Sequence, residues 1–229
     1  MIQLALDLPR RTAFGRSDFM VSQSNIAAVE RIDRWPDWPS AVLVLSGPHG
    51  CGKTHLAYLW RERASAVIIA GETLTEAMLP HLLDVTPRQV AIDDADRASE
   101  RALLHLYNFC IEHHCGLLIT AHASPGSWRV TLGDLRSRLL AAPTVEIGAP
   151  DDVLLGAVLV KHFADRQLRV GPELIAYLIG RIERSFAAAA AVVAALDEAA
   201  LADHRPIAIP LARRIVDQFL PPTSDSAVT

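Results

Sequence analysis

Residues 41–55 read AVLVLSGPHGCGKTH. Ala41–Ser46 is an unbroken apolar run of strand length. Gly47-Pro48-His49-Gly50-Cys51-Gly52-Lys53-Thr54 follows and fits the phosphate-loop pattern G-x-x-x-x-G-K-[ST] at every fixed position. A helix is expected from Lys53 to about Ala64. Strand, glycine turn and helix, in that order, are the context in which this pattern cradles phosphate. Glycines at 47, 50 and 52 let backbone N–H groups turn toward phosphate oxygens. The start of the helix adds its dipole and its unpaired N–H groups. Lys53 is placed to reach the outer phosphates of a nucleotide, and the Thr54 hydroxyl to ligate Mg²⁺. Lys53 is one of only two lysines, the other being Lys161, so a lysine here is not compositional background. The expected nucleotide contacts are Gly47 through Thr54, with His55 beside them.

Outward from this loop, apolar strands alternate with helices. Asn25–Trp35 reads as a helix ended by Pro36 and Pro39. Strands are expected at 66–70, 89–93, 116–121 and 144–147, and a helix at about 99–112. Such alternation implies an α/β fold, with a parallel sheet covered on both faces. Near Pro150 the pattern changes. Helices at about 151–164, 172–182, 185–203 and 208–219 follow, with Asp151 and Asp152 as starters and Pro172 in a first turn. The expected division is a tail at 1–17, an α/β nucleotide-binding domain at 18–149, a small helical domain at 150–220 and a disordered tail at 221–229.

About half of the 229 residues are apolar, enough for a sizeable core. No apolar run has the length of a membrane span, and the N-terminus lacks the order of a signal peptide. A soluble, cytoplasmic chain with no membrane partner is expected. The formal net charge of −4 gives no global attraction to DNA. Cys51, Cys110 and Cys115 are odd in number and form no CxxC pair, which argues against a disulfide framework or a zinc site. His113, His114 and Cys115 are adjacent, but neighbours on a helix point in different directions, which speaks against a shared metal.

Val90-Ala-Ile-Asp93-Asp94 supplies a second element of the site. In a phosphate-loop fold the end of this strand lies beside the phosphates. Asp93 is the expected second Mg²⁺ residue, through water, and Asp94 the residue that orients or deprotonates the attacking water. Asp at a strand–helix junction also serves as a plain helix cap. At the N-terminus, Gln3, Leu4, Leu6 and Leu8 offer an amide and apolar anchors to a groove on a partner.

GPHGCGKTHL (47–56), AIDDAD (91–96), LLITAHASP (117–125) and LGDLRSRLL (132–140) resemble, in order and spacing, the AAA+ region of the DnaA-like family. The segment after 150 resembles the AAA+ lid, and the likeness runs over about residues 15–220. It implies a strand order of 5-1-4-3-2 and binding of ADP or ATP with Mg²⁺. The chain shows neither the N-terminal interaction domain nor the C-terminal DNA-reading domain of DnaA, a truncated form similar to the DnaA-related regulator Hda. The likeness implies that Gln3–Leu8 is a peptide for the β sliding clamp of DNA polymerase III, and that Arg138 is an arginine finger acting on a neighbour's nucleotide, with Arg136 helping to position it. It implies that Ser17–Val21 lies against the base, with Val21 as a contact. Thr120 and His122 stand where the family carries Thr-Ser-Asp as a polar sensor. Ala187 stands where the lid carries a sensor arginine, with Arg181 and Arg184 one or two turns earlier, which weakens the expectation of strong hydrolysis by the chain itself.

The function implied is regulation of replication initiation. The chain would bind the DNA-loaded clamp and stimulate hydrolysis of DnaA-bound ATP, with DnaA and the clamp as partners, a homodimer or larger homo-oligomer as an option, and no direct sequence-specific DNA contact. A helicase-loader type ATPase, and a nucleotide-bound clamp adaptor that triggers no hydrolysis, are the alternatives. A DnaA-like filament on DNA fits less well with the missing reader domain and the acidic balance.

Overall fold

The computed structural model describes residues 20–84, 89–203 and 205–219. The expected clamp peptide with Gln3, Leu4, Leu6 and Leu8, the Ser17–Phe19 part of the base-side segment, and the expected tail from 221 lie outside the described residues.

Five parallel strands form one sheet: β1 (Val42–Ser46), β2 (Val67–Ala70), β3 (Gln89–Asp93), β4 (Gly116–Ala121) and β5 (Thr144–Glu146), in the order β2-β3-β4-β1-β5. This is the expected order, read from the other edge. Alternation along each strand sends side chains to opposite faces. Val42, Val44, Val90, Ile92, Leu117 and Ile119 join one core with α4 (Glu100–Glu112) and α5 (Gly133–Ala141). Leu43, Leu45, Ala91 and Leu118 join the other with α1 (Ile26–Asp33) and α2 (Lys53–Ala64). Because β1 and β4 are buried along their whole length, both read as continuous apolar runs. Each fully buried leucine here contributes about 2 kcal/mol from the apolar surface it removes from water.

The helices begin and end where local chemistry dictates. α4 starts behind Ser99, whose hydroxyl accepts from the Ala102 N–H, and it closes with His114 in the left-handed region and Cys115 N–H bonded to the Cys110 carbonyl. α6 (Asp152–Asp165) is capped by the Asp151 carboxylate, which accepts from the Leu154 N–H at 2.7 Å. α7 (Pro172–Ile179) has proline in its first turn and stops at Gly180 instead of running on to 182, because glycine is costly in a helix interior. With α8 (Phe186–Asp203) and α9 (Ile209–Phe219), these helices pack around a third core that includes Leu155, Phe163, Leu178, Val193 and Ile215. Two elements go beyond the expected pattern: α3 (Leu79–Asp84) and α5.

All three cysteines are buried free thiols. Burial pushes each thiol pKa up, Cys110 to about 12. His113 bonds through Nδ1 to the Phe109 carbonyl, and Cys115 Sγ to the His113 carbonyl, so the 113–115 group is occupied by its own helix end. Among the described residues no helix is long and apolar enough to cross a membrane.

Glu100 ties α4 to the start of α5. Its carboxylate accepts from the N–H groups of Thr131 and Leu132 and from the Thr131 hydroxyl, at 2.8–3.1 Å. These bonds, led by the Thr131 N–H, hold its pKa below the ordinary carboxylate value. A depressed folded-state pKa adds stability above the unfolded value, and that stability is lost as pH falls through the folded one. Glu100→Gln is therefore expected to be less stable than wild type at neutral pH, by at most about 1 kcal/mol because the carboxylate is largely solvated. The difference should shrink below about pH 4. Urea unfolding of both proteins between pH 3 and 7 checks this, and a constant difference across that range would contradict it.

Candidate functional site

The parallel sheet brings the carboxyl ends of β1, β4 and β3 side by side, with Ser46 in register with Ala121 and Ile92 with Ile119. The crevice outside such strand ends is where α/β sheets bind ligands. The phosphate-type loop leaves β1 there. Gly50 has φ +70° and Gly52 φ +104°, backbone that side chains other than glycine rarely adopt. A Cβ on Gly47 would meet the carbonyl of Ile147 and the Cys51 sulfur, so the loop can pass only as glycine. Lys53 opens α2, is 4% exposed, and donates from Nζ to the carbonyls of Gly47 and Pro48, both at 2.8 Å. Its charge sits inside the curve of the loop, at the N-terminus of a twelve-residue helix.

The two expected acids differ in their partners. Asp93 is bound on both oxygens: Thr54 Oγ1 donates to one at 2.9 Å and Thr120 Oγ1 to the other at 2.6 Å. The Thr120 hydroxyl also accepts the Asp94 N–H at 2.9 Å and is fully buried. Of the two sensor candidates, Thr120 is thus spent on joining β4 to Asp93 and Asp94, while His122 stands at the mouth. Asp94, just beyond β3, adopts φ +55°. His122 Nε2 lies 3.8 Å from Asp94 Oδ1, and His122 Nδ1 lies 3.1 Å from Asp96 Oδ2. The His49 ring of the loop is parallel to the His122 ring, centroids 6.1 Å apart. Asp94, Asp96 and His122 are the one set of three metal-capable side chains gathered among the described residues.

The residues fit a magnesium nucleotide. Thr54 and Asp93 present hard oxygen donors converging on one point, the type of ligand Mg²⁺ takes. The first turn of α2 leaves N–H groups without intrahelical partners, and Lys53 supplies positive charge beside them. Val21 is 52% exposed. Its segment reaches the loop indirectly: the Ser24 carbonyl accepts the Gly148 N–H, and Ile147 adjoins Gly47. His55 is half-buried in the first turn of α2.

The helical end of the chain meets the loop through backbone. Phe186 N–H donates to the Gly50 carbonyl at 2.9 Å, and buried Ser185 caps α8 by accepting the Ala188 N–H. Ala187 is the second residue of α8. Arg184 pairs with Asp152 at 2.7 Å, and Arg181 lies over the Tyr177 ring, so the engagements of both lie within the helical end of the chain. Neither Ser185 nor Asp96 is singled out by the sequence. The third carboxylate of Asp93-Asp94-Ala95-Asp96 was the only signal for the latter.

Arg138 lies on α5. Its guanidinium faces exposed Asp134 at 3.6 Å, and its buried Nε has no hydrogen-bond partner. Arg136 is exposed. An exposed i,i+4 pair holds a guanidinium by only a few tenths of a kcal/mol, roughly, which leaves it free to turn toward another molecule.

Residues 153–216 match the family described as Hda, lid domain. No curated protein matches the chain. Among solved structures, domain III of the Thermotoga maritima replication initiation protein DnaA is similar with TM-score 0.76 and 16% identity, over 94% of this chain and 100% of that one. A replication initiator DnaA bound to AMPPCP and single-stranded DNA is similar with TM-score 0.70 and 16% identity, over 85% and 69%. The Thermotoga maritima RuvB Holliday junction branch migration motor is similar with TM-score 0.70 and 16% identity, over 86% and 70%. The fold is like that of DnaA domain III, with a helical end that matches the Hda lid domain.

Proposed function

We propose that this chain, Hda-like in its lid and in the DnaA-type AAA+ fold beneath it, regulates replication initiation by stimulating hydrolysis of ATP held by DnaA. The observation that carries the reading is the Hda lid match on residues 153–216, joined to a nucleotide cradle of full phosphate-loop sequence. In this reading Gly47–Thr54 binds ADP or ATP, with Lys53 on the outer phosphates and Val21 on the side of the base. Thr54 and Asp93 hold Mg²⁺, which when bound would neutralise phosphate charge. Gly50, bonded to Phe186 of the lid, passes the state of the loop to α8.

Arg138 acts outward. A guanidinium docked on the phosphates of a neighbouring subunit stabilises charge that develops only in the transition state. Gln3, Leu4, Leu6 and Leu8 are the proposed anchor to the sliding clamp, which raises the local concentration of the chain near DnaA on DNA. The setting is the cytoplasm, where replication takes place.

The test is hydrolysis of DnaA-bound ATP in the presence of clamp and DNA. Wild type is expected to shorten the lifetime of bound ATP, and a Gln3→Ala/Leu4→Ala variant to lose at least about 10-fold of that effect through lost tethering. No stimulation by wild type would reject the reading. Clamp binding without stimulation would favour the adaptor, and tight single-stranded DNA binding without clamp binding would favour a helicase loader.

A further inference from the structure

The two edges of the sheet differ. β5 reads Thr-Val-Glu, and α1 packs against it. β2 reads Val-Ile-Ile-Ala, pairs with β3 on one side, and has no strand on the other among the described residues. Every second N–H and C=O along β2 points away from β3. The strand carries neither the charge nor the proline with which natural sheets protect an open edge. A groove of about 580 Å³ runs along it. All four β2 residues line this groove, with Met78 and Leu82 from the connection to β3. Val67 is 41% and Met78 36% exposed there. Val67 and Ile69 fall on one face of the strand by alternation. Ile69 and Leu79 belong to the core on the α4 side, and Leu82 packs against it, so the groove continues that core to the surface. An occupant with an apolar residue at every second position would extend sheet and core together.

Residues 2–8 read Ile-Gln-Leu-Ala-Leu-Asp-Leu. Ile2, Leu4, Leu6 and Leu8 have the period of a strand with one apolar face. Pro9, which has no N–H to donate, ends the pattern. The described chain enters at Met20, whose carbonyl accepts from Asn25 Nδ2, and the Ser24 carbonyl ties this entry to Gly148 after β5. From β5 to β2 is four strand spacings, about 19 Å. The twelve steps from Leu8 to Met20 reach about 40 Å when extended, enough to cross the sheet.

We propose that residues 2–8 dock on the open edge of β2 in the same chain as a further strand, with their leucines in the groove beside Val67 and Met78. Backbone bonds to β2 hold the segment, and the groove selects its apolar face. These leucines are the ones offered to the clamp in the reading above, and on that reading rests one consequence: docking and clamp binding exclude each other. A segment docked nine-tenths of the time weakens clamp binding about 10-fold. Full affinity for the clamp is reached only when the segment leaves β2.

Amide hydrogen exchange of the full chain, followed by NMR, tests the docking. The outward N–H groups of β2 and those of residues 3–8 should exchange about 10-fold more slowly than in Val67→Lys/Met78→Lys, which places two charges at the groove. Both side chains are partly exposed, so this variant should unfold at the urea concentration of wild type. Leu6→Asp, which changes the segment alone, should speed exchange in β2 by the same factor. Rapid exchange of residues 3–8 in wild type overturns the proposal, as does β2 exchange that Leu6→Asp leaves unchanged. Protection that grows with protein concentration would assign the segment to a second copy and overturn docking within one chain. Affinity for the β sliding clamp is measured separately, for wild type, for Val67→Lys/Met78→Lys and for a peptide of residues 1–9. The variant should bind the clamp about 10-fold more tightly than wild type. Equal affinity of the two, with a peptide that binds, overturns the mutual exclusion. A peptide that does not bind ends the clamp reading and the competition with it, while docking on β2 stands or falls on exchange alone.

Discussion

Lys53→Met is expected to weaken binding of ADP and ATP by about 100-fold or more. The ammonium is 4% exposed and held at 2.8 Å from the carbonyls of Gly47 and Pro48. Its charge is therefore already inside the loop before phosphate arrives, and little side-chain entropy remains to be lost on binding. A hydrogen bond from a charged donor to phosphate contributes about 1.5–3 kcal/mol, and two such contacts amount to at least a 100-fold change in affinity. Methionine keeps the length and the apolar stem, so the pocket beneath the loop stays filled. The free protein should change in stability by no more than about 1 kcal/mol, because the lost carbonyl bonds are offset by the relieved cost of burying a charge. Titration with a fluorescent nucleotide, beside a urea unfolding curve, measures both quantities. Affinity within twofold of wild type in a folded variant would remove the phosphate-cradle reading of Gly47–Thr54.

The parts of this site that could be read in the sequence are those whose chemistry is local. The loop, the strand before it and the helix after it lie within 41–64, and α2 runs over the expected Lys53–Ala64. β3 and β4 also match their expected limits, because each is an apolar run bounded by polar or glycine residues. α5 is different. Only Leu135 and Leu139 are buried on it, and it begins at Gly133 without a side-chain cap, so neither periodicity nor capping marks it. α3 is six residues long and contains Pro80, which reads as a breaker. The chain of Asp96, His122 and Asp94 joins residues 26 or more apart, and the contact of Gly50 with Phe186 joins residues still farther apart. The first follows from the parallel register of β3 and β4, and the second from the seating of the helical end on the loop, neither of which a single sequence prints. The start of α8 was legible as the alanine-rich run after Ser185. That Phe186 links it to the loop through backbone was not, since a backbone bond leaves no mark on residue type.

Arg138→Ala is expected to reduce stimulation of DnaA-bound ATP hydrolysis by about 1,000-fold, the lower end of what an arginine finger supplies to phosphoryl transfer. The chain's own nucleotide affinity should stay within about twofold. Arg138 is engaged with Asp134 on its own helix, while the Tyr107 hydroxyl donates to its carbonyl at 3.3 Å and fixes the backbone of α5. Removal of the side chain beyond Cβ leaves that backbone bond intact, and Glu100 still anchors the start of the helix. The variant should therefore fold with near wild-type stability, which separates loss of chemistry from loss of structure. Arg138→Lys should recover little, because a lysine lacks the planar fork that meets two phosphate oxygens at once. The clamp provides a further distinction. A Gln3→Ala/Leu4→Ala variant should recover activity when its concentration is raised, since only tethering is lost. Arg138→Ala should not recover at any concentration, since the group that stabilises the transition state is gone. Equal recovery of the two variants at high concentration would place the effect of Arg138 in binding and not in catalysis, and would end its assignment as a finger.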